Sequence, residues 1–348
     1  MLYFSTHPFN MSRALSSDKL HSTVNNLSSL RILVAGDVML DIFDFCKSSE
    51  SRPIDSEKPG KRAYAAHESV AAFGGAGNVA TNLATLGVQT SLVGLAGNDG
   101  HWHTLREMAD RLSINHCLIR DSSRPTTTKT RLYIDDEYIL RKDHEAIHKI
   151  DHETALTLVS ELLNRLSEID AVVLSDYNKG LFTEELTNKI IEKCTRLEIP
   201  IVVDFKPENR KLFKGANLLA PNETEADALL EGFKRTPNLE ASTRQLRDDL
   251  ETANLIVTLG ANGICGVDSN DEFFHLAGHK VTAVDAVGCG DTVRASLAIG
   301  LATGLDLMHS AALANAAAAV IVQKSATATL TTAELKSFLN ERPSIRLA

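Results

Sequence analysis

The pattern of apolar and polar residues predicts short buried strands that alternate with amphipathic helices. Apolar runs of strand length occur at 32–35, 88–97, 114–120, 171–176, 199–204, 216–220 and 254–260. Helical periodicity occurs within 74–87, 101–112, 151–169, 183–196, 222–232 and 239–252, and two alanine-rich helices are predicted at about 290–304 and 308–323. This alternation predicts an α/β fold with a mainly parallel sheet and helices packed on it.

Two stretches interrupt the alternation and predict a separate small β-structure. Residues 42–73 contain a polar excursion and then a predicted strand. Residues 126–143 carry β-branched and aromatic residues on both sides of Asp135–Asp136, which predicts a hairpin with its turn at this pair. We expect 42–73 and 115–143 to pair as a small lid over the ligand-binding edge of the sheet. Residues 263–283 are predicted to be antiparallel edge strands.

The two ends of the chain lack this pattern. Residues 1–29 are rich in Ser and Asn and predict a disordered tail. One domain is predicted for 30–330, without an internal repeat or a dividing linker, and residues 331–348 are expected to form a C-terminal helix or tail.

Composition excludes several classes of partner. The chain has 348 residues, a formal net charge of −9 and no block of Lys and Arg, so neither nucleic acid nor an anionic membrane is an expected partner. No apolar run reaches the roughly 18 residues of a membrane span, and the first residues lack the pattern of a signal peptide. The 5 cysteines contain no CxxC pair. These features predict a cytoplasmic protein.

Polar residues gather after the predicted strands. Asp37 and Asp41 follow the first strand, and the segments 74–78, 176–180 and 222–225 follow later elements. In open parallel sheets ligands bind at the carboxyl ends of the strands, so these residues are candidates for a shared site. A single Asp after a strand is also a common helix or turn cap.

The stretch 284–298 combines a glycine turn with a helix start. Gly288 and Gly290 flank Cys289, and Asp291 follows them. Uncovered N–H groups at a helix N-terminus bind anions, and a carboxylate beside them can accept the proton of a hydroxyl group. The alternative is a helix with an Asp near its start and glycines in the preceding turn.

Two further segments have a functional and a structural interpretation. Asn222 and Glu225 share one face of a helix start, which suits Mg²⁺ held through water, or they form a capping box. Residues 258–263 follow a strand and either seat a nucleotide or form a glycine-containing turn.

A dinucleotide site is the rival interpretation. Gly75, Gly77 and Ala80 match a relaxed GxGxxA pattern before a helix. The next strand, however, lacks the acidic residue that such a site requires at its end. A Walker A sequence is also absent, so ATP would have to be held in another way.

Together these motifs resemble the ribokinase-like (PfkB) carbohydrate kinases. VDAVGCGDTVRA resembles the C-terminal D-x-x-G-A-G-D signature of that family, GGAGNVATNLATLG its sugar-binding glycine motif, and Asn222 with Glu225 its N-x-x-E. The order agrees from about Arg31 to Gln323. The resemblance implies a three-layer α/β/α fold with a small β-sheet lid.

The resemblance also implies roles for individual residues. Asp291 would be the catalytic base beside the amides of Gly288, Cys289 and Gly290. ATP with Mg²⁺ would lie along Asn222, Glu225, Thr258, Gly260, Gly263 and Asn315, with Asn222 and Glu225 near the metal, and K⁺ is a further candidate. The sugar site would comprise Asp41, Gly74, Gly75, Asn78 and Asp176. Lys129, Arg131 and Lys179 are candidates for a sugar phosphate, or ordinary surface cations.

Within the family, GDVMLD, PTTTKTR and VVLSDYNKG look like the heptose 7-phosphate kinases of ADP-heptose biosynthesis. We therefore expect an ATP-dependent kinase that acts on the anomeric hydroxyl of D-glycero-D-manno-heptose 7-phosphate, as a homodimer formed through the lid. The alternatives are a kinase of the same fold for another sugar or nucleoside, and an NAD-binding oxidoreductase or non-catalytic sugar-binding protein. Cys289, which replaces the usual Ala of the signature, is expected to be a spacer.

Overall fold

The structure, a computed structural model, describes residues 15–324, 328–342 and 344–348. Ten α-helices lie in this part of the chain. Their bounds are α1 Asp18–Asn25, α2 Ala76–Thr85, α3 Gly100–Arg111, α4 His152–Leu163, α5 Glu184–Arg196, α6 Glu223–Leu229, α7 Leu239–Asp249, α8 Cys289–Ala302, α9 Leu307–Ile321 and α10 Thr332–Glu341.

The same residues contain strands in four sheets. Their bounds are β1 Leu15–Ser16, β2 Arg31–Gly36, β3 Val38–Cys46, β4 Arg52–Pro53, β5 Arg62–Ala63, β6 Ala66–Gly75, β7 Gln89–Gly97, β8 Asn115–Asp121, β9 Thr127–Ile134, β10 Glu137–His144, β11 Ala171–Ser175, β12 Ile201–Asp204, β13 Leu218–Leu219, β14 Asn254–Thr258, β15 Ile264–Val267, β16 Phe273–Leu276 and β17 Ser344–Ile345.

The central sheet has nine strands in the order β16-β15-β14-β13-β12-β11-β2-β7-β8. Pairing is parallel from β14 to β8, and β15 and β16 add an antiparallel edge. Its strands are apolar on both faces because helices cover both sides. Along β2, for example, Ile32 and Val34 face one core cluster, while Leu33 and Ala35 face the other. The prediction of a mainly parallel sheet between helical layers is therefore confirmed.

Each face of the sheet has its own set of helices. Residues of α1, α2, α3, α8, α9 and α10 pack in one core cluster, and residues of α4, α5, α6 and α7 pack in the other. The alanine-rich sequence of α8 and α9 permits their close approach, since a side chain at Gly300 would collide with Ser310. This packing fixes the N-terminus of α8 at the ligand edge of the sheet.

The lid is a four-stranded sheet in the order β10-β9-β3-β6. β9 and β10 form the predicted hairpin, and Asp135 and Asp136 at its turn both have positive φ, as a two-residue turn of the type I′ class requires. β3 continues directly from the end of β2, and β6 leads directly into α2. The lid is thus joined to the central sheet at the site where ligands are expected.

One boundary of the predicted lid is wrong. Residues 115–121 form β8, which pairs in parallel with β7 at the edge of the central sheet. The apolar residues of β8 face the core there, since Leu118 is buried and the indole of Trp102 donates to its carbonyl. The lid begins earlier than predicted at its other end, because β3 starts at Val38.

The predicted disordered tail is also wrong for the residues that are described. Residues 18–25 form α1, and Leu20 and Val24 are buried in the core against α9 and α10. Residues 1–14 lie outside the described part of the chain. At the other end, the backbone of Ala277 donates to Arg346, which places the C-terminal segment against β16.

No helix in the described part of the chain is long and apolar enough to cross a membrane.

Candidate active site

Five neighbouring strands of the central sheet end in polar residues at one edge. Asp37 follows β2, Asp176 follows β11, and Asp204 ends β12. The backbone N–H of Asp37 donates to Ser175, and that of Asp176 donates to Asp204, so neighbouring strands remain paired up to these carboxylates. The α6 helix begins after β13, and the turn at 260–262 follows β14. The strand ends that the sequence pointed to therefore lie side by side.

Asp291 stands at the centre of this edge, in the first turn of α8. Gly288 adopts the left-handed conformation (φ 78°) that allows the chain to turn into the helix. The carboxylate is buried and accepts two hydrogen bonds, from Asn78 Nδ2 to Oδ2 (2.6 Å) and from the Tyr177 hydroxyl to Oδ1 (2.9 Å). It is held in one orientation by two neutral donors and has no cation among its hydrogen-bond partners.

Burial raises the pKa of Asp291 to about 6, and the nearby Asp204 acts in the same direction. The hydrogen bonds from Asn78 and Tyr177 oppose this rise because they stabilise the ionised form. A carboxylate with such a pKa is mostly ionised at neutral pH, yet close enough to it to accept a proton efficiently.

Tyr177, which donates to Asp291, was not among the predicted site residues. It lies in the loop after β11, and burial raises its pKa well above the ordinary value of a tyrosine, so it remains a hydrogen-bond donor. The loop is held by Asp37 Oδ2, which accepts from the backbone N–H of Tyr177 (2.7 Å) and Lys179 (3.1 Å). Burial next to Asp176 raises the pKa of Asp37 to about 7.

Asp176, a predicted sugar ligand, instead holds the same loop together. Its carboxylate accepts from the backbone N–H groups of Asn178 and Lys206 and from the side chain of Asn209. Only 1% of the residue is exposed. These contacts indicate a structural role for Asp176 rather than contact with a substrate.

Gly74 and Gly75 shape the junction between the lid and α2. A side chain at Gly74 would lie 3.1 Å from the carboxyl group of Asp41, and one at Gly75 would lie 2.3 Å from the carbonyl oxygen of Asp37. Gly75 also has a positive φ of 58°. The two glycines let Asp41 and Asp37 approach the chain closely, and they bring Asn78 to Asp291 on the following helix.

The lid contributes a row of charged residues on one of its faces. Asp41, Lys129 and Asp143 are direct cross-strand partners on β3, β9 and β10. Residues opposite each other in a sheet point to the same side, so their charges meet. Arg131, two positions along β9, places Nη1 3.3 Å from Asp41 Oδ1. This ion pair gives Asp41 Oδ1 no well-directed hydrogen bond, and the oxygen remains a buried acceptor without a donor.

The three predicted phosphate-binding cations lie together at the base of the lid. Lys129 Nζ is 3.1 Å from Asp143 and 3.7 Å from Glu145 Oε2, and Lys179 Nζ is 2.8 Å from the same Glu145 oxygen. Their side chains are largely buried. Lys129 and Lys179 therefore differ from ordinary surface cations, because they come from separate elements and both approach the same carboxylate oxygen.

A cavity of about 370 Å³ adjoins Gly290 and Cys289 on the other side. It is lined by the predicted nucleotide residues Thr258, Gly260, Gly263 and Asn315. Asn315 donates to the carbonyl of Ala277 and so holds the segment that forms one wall. The glycine turn of α8 therefore separates this cavity from Asp291 and the lid.

Asn222 and Glu225 form the capping box that the sequence allowed. Asn222 Oδ1 accepts from the Glu225 N–H, and Glu225 Oε2 accepts from the Asn222 N–H. Asn222 also bridges to Thr258, which places α6 beside the nucleotide cavity. The remaining Glu225 oxygen, Oε1, is 2.6 Å from Lys206 Nζ.

These contacts do not fit direct coordination of a divalent metal by Asn222 and Glu225. Both oxygens of Glu225 and the side-chain oxygen of Asn222 already have donors, and the nearby Asp204 pairs with Arg294 at 2.8 Å. Across the described residues, no three His, Cys, Asp or Glu side chains form a metal-binding cluster. A metal at this edge would have to be held by a ligand or through water.

Comparison with known proteins identifies this arrangement. The profile of the "pfkB family carbohydrate kinase" matches residues 30–334. The chain belongs to the pfkB family of carbohydrate kinases. The predicted class of enzyme, a phosphotransferase that acts on a sugar, is thereby confirmed, and the NAD-dependent alternative is not supported. Members of this family use ATP and usually a divalent metal.

Curated relatives in the pfkB family cover nearly the whole chain. It is 36% identical over 328 residues to "Bifunctional protein HldE" of Bradyrhizobium diazoefficiens, and 37% identical over 316 residues to the protein of the same name from Nitrobacter winogradskyi. These matches cover 92% and 90% of the chain. The chain spans only 65% and 64% of the length of these two relatives.

Solved structures confirm the predicted ribokinase-like fold of this pfkB member. Ribokinase from Thermotoga maritima aligns with a TM-score of 0.66 and 26% identity, over 89% of this chain and 99% of the ribokinase. Phosphofructokinase-2 from Escherichia coli aligns with a TM-score of 0.72 and 18% identity, over 90% of this chain and 99% of that protein.

Three residues at the candidate site have a feature in the sequence from which they could have been predicted. Tyr177 directly follows Asp176, which was predicted to bind the sugar. Lys206 lies two positions after Asp204, and Asp204 stands at the end of its strand just as Asp37 and Asp176 follow theirs. Arg294 is the only basic residue of α8 and lies one turn after Asp291. A buried charge of this kind requires a partner, and that requirement was the available signal.

Proposed function

We propose that this chain transfers the γ-phosphoryl group of ATP to the anomeric hydroxyl of a heptose 7-phosphate, best matched by D-glycero-D-manno-heptose 7-phosphate. The products would be the 1,7-bisphosphate, as used in ADP-heptose biosynthesis, and ADP. One observation supports this function above all others. A buried carboxylate with a pKa of about 6, Asp291, lies between a nucleotide-sized cavity and the charged face of the lid.

Asp291 acts as the general base in this reaction. The acceptor hydroxyl oxygen forms a bond to the γ-phosphorus while the bond from that phosphorus to the bridging oxygen of ADP breaks. The hydroxyl proton passes to the Asp291 carboxylate, which later releases it to water. Asn78 and Tyr177 fix the carboxylate and keep it ionised before the acceptor arrives.

The turn at Gly288–Gly290 stabilises the transferring group. The first N–H groups of a helix have no partners within the helix, and its N-terminus carries partial positive charge. Gly290 lines the nucleotide cavity and Asp291 follows it, so the N–H groups of this turn lie at the boundary between the two, although that of Cys289 already donates to the carbonyl of Ala286. Negative charge on the phosphoryl oxygens is therefore stabilised by fixed dipoles that need no reorganisation during transfer.

The lid supports a sugar that already carries a phosphate. The buried Asp41 Oδ1, which has the Arg131 ion pair but no well-directed hydrogen bond, can accept one from a sugar hydroxyl. Lys129, Lys179 and Arg131 are suited to a phosphate because it could replace the Glu145 carboxylate between the two lysines. An acceptor with a terminal phosphate would thus bind more tightly than the corresponding free sugar. The lid would also exclude water from the γ-phosphate.

Mg²⁺ would enter with the phosphates of ATP, because Glu225 and Asp204 already pair with Lys206 and Arg294. Asn222 and Glu225 remain candidates for contact with it through water. K⁺ remains a candidate activator.

A panel of acceptors tests the proposed function. Purified protein is incubated with Mg·ATP and with D-glycero-D-manno-heptose 7-phosphate, the free heptose, fructose 6-phosphate, ribose or adenosine, and ADP formation and ³¹P NMR of the product are followed. We expect the highest kcat/KM and an anomeric phosphate with the heptose 7-phosphate. The Asp291→Asn variant should lower kcat by about 10²–10⁴-fold while it still binds ATP. A higher kcat/KM with another acceptor would replace the heptose assignment, and near-normal turnover by Asp291→Asn would remove the general-base mechanism.

We also propose that two copies associate through their lids. Val70 on β6 and Tyr138, Ile139 and Leu140 on β10 are exposed apolar residues on the two edge strands of the lid sheet. Unpaired strand edges that carry apolar side chains favour association. Light scattering should give the mass of a dimer for the protein and of a monomer for Ile139→Glu, whereas a monomeric wild-type protein would contradict the proposal.

A further inference from the structure

Arg294 is a buried cation beneath the glycine turn of α8. It lies one helical turn after Asp291, and only 2% of the residue is exposed. Its Nη2 donates to Asp204 Oδ1 and to the carbonyl oxygen of Ala220, both at 2.8 Å. Its Nε is buried and has no hydrogen-bond acceptor. A buried guanidinium retains its charge, so the protein maintains a fixed positive charge at this position.

The rest of the guanidinium lies against the turn itself. A side chain added at Gly290 would lie 2.8 Å from Arg294 Nη1. The guanidinium therefore lies directly beside the backbone that is proposed to hold the phosphoryl group. Asp204 and Ala220, at the ends of β12 and β13, keep it there through the two hydrogen bonds to Nη2.

The carboxylates around Arg294 are neutralised in pairs. Asp204 pairs with Arg294, and Glu225 pairs with Lys206 at 2.6 Å. Asp291 is left for the acceptor, since its partners Asn78 and Tyr177 are neutral. Asp204, at the end of β12, and Glu225, in the first turn of α6, are thus both occupied by cationic side chains of the protein.

We propose that Arg294 is an electrostatic positioning residue that supplies the phosphoryl-binding turn with a built-in positive charge in place of a metal ion held by the polypeptide. Arg294 acts through the turn, because its Nη1 lies beside Gly290, and Asp204 fixes its orientation. Asp204 and Glu225 then bind no divalent cation by themselves, and any such ion at this edge arrives with ATP. This role rests on the proposed function, because the turn is useful for phosphoryl transfer only in a kinase.

Three variants separate the charge of Arg294 from the stability of the fold. Arg294→Met leaves Asp204 buried without its partner, whereas the double variant Asp204→Asn/Arg294→Met removes both charges together. Asp204→Asn alone keeps the guanidinium and an oxygen acceptor for it, so it is the matched reference for the double variant. The double variant should melt no lower than this reference, which still buries a guanidinium without its carboxylate partner.

The first readout is Mn²⁺ binding in the absence of nucleotide, followed by electron paramagnetic resonance. We expect no bound Mn²⁺ in the wild-type protein, bound Mn²⁺ in Arg294→Met where Asp204 is free, and none in the double variant. The inference would be overturned if the wild-type protein bound Mn²⁺ and Asp204→Asn abolished that binding. It would also be overturned if Arg294→Met were folded and bound no Mn²⁺. This measurement needs no acceptor, so it remains decisive even if no sugar is phosphorylated and the proposed function fails.

The second readout is turnover with the best acceptor of the panel. We expect kcat of the double variant to be on the order of 10²-fold below that of Asp204→Asn, with a similar KM for the acceptor. A structural role alone would lower the melting temperature without this selective loss of kcat. Equal kcat values in the two variants would overturn the inference.

Discussion

The hydroxyl of Tyr177 should set the pH at which the enzyme becomes active. It donates to Asp291 Oδ1 at 2.9 Å and stabilises the ionised carboxylate, whose pKa is raised to about 6 by burial. Tyr177→Phe removes this donor and leaves the ring in place. The second donor, Asn78, is unaffected because it bonds to the other carboxylate oxygen.

The size of the shift follows from the energy of one hydrogen bond to a charged group. Such a bond contributes about 1.5–3 kcal/mol, and about 1.4 kcal/mol corresponds to one pKa unit, so the pKa of Asp291 should rise by about 1–2 units. The ionised fraction at pH 7 then falls from roughly nine-tenths to between about one-half and one-tenth. Activity at pH 7 should decrease about 2- to 10-fold and recover above about pH 9.

The assay is the dependence of kcat/KM on pH, from about 5 to 9.5, at saturating ATP. The acidic limb should move to higher pH in Tyr177→Phe while the plateau stays close to that of the wild-type enzyme. Tyr64→Phe is the matched control, because Tyr64 is 40% exposed and is not a hydrogen-bond partner of Asp291. An unshifted limb with equal loss of activity at every pH would refute the assignment of Asp291 as the titrating base.

Three further predictions address the loop, the turn and the lid. Asp37→Asn should stabilise the fold by about 2 kcal/mol at pH 5 and about 4 kcal/mol at pH 8, as measured by urea unfolding. The folded pKa of Asp37 is about 7, above the ordinary 3.8, so the wild-type protein loses stability as the pH rises between these two values, and the variant does not. A gain in the free energy of unfolding that is independent of pH would contradict this reasoning. Asn can keep both backbone hydrogen bonds, which go to a single oxygen. Cys289→Ala should leave kcat within about twofold and melting nearly unchanged, since burial raises the pKa of the thiol to about 11 and keeps it neutral; a loss above tenfold would mean that the thiol takes part in the reaction. Lys179→Met should raise KM about 10- to 100-fold for a phosphorylated acceptor but little for a free sugar. Lys142→Met, on the exposed side of β10, is the control. An equal effect on the KM of both acceptors would exclude a contact between Lys179 and the phosphate.

Local patterns were sufficient for much of the fold. Continuous apolar runs and period-3.6 patterns report which segments and faces are buried, and they located the strands of the central sheet and most helices within a few residues. The pair Asp135–Asp136 marked the hairpin turn, and Asn222 with Glu225 marked a helix start, because both features depend on neighbouring residues alone. The glycine turn before Asp291 was evident for the same reason.

The partners of these elements were decided only by the tertiary structure. The segment 115–121 has a strand pattern that suits either sheet, and the free edge of β7 determined that it joins the central one. Asn78 and Tyr177 meet Asp291 from positions 213 and 114 residues away, and Arg294 meets Asp204 across 90 residues. A sequence pattern records that a residue is buried, whereas the identity of its partner depends on how strands are ordered and helices packed. For this protein the sequence determined where the chemistry lies, and the fold decided which neighbours set the charge of each group.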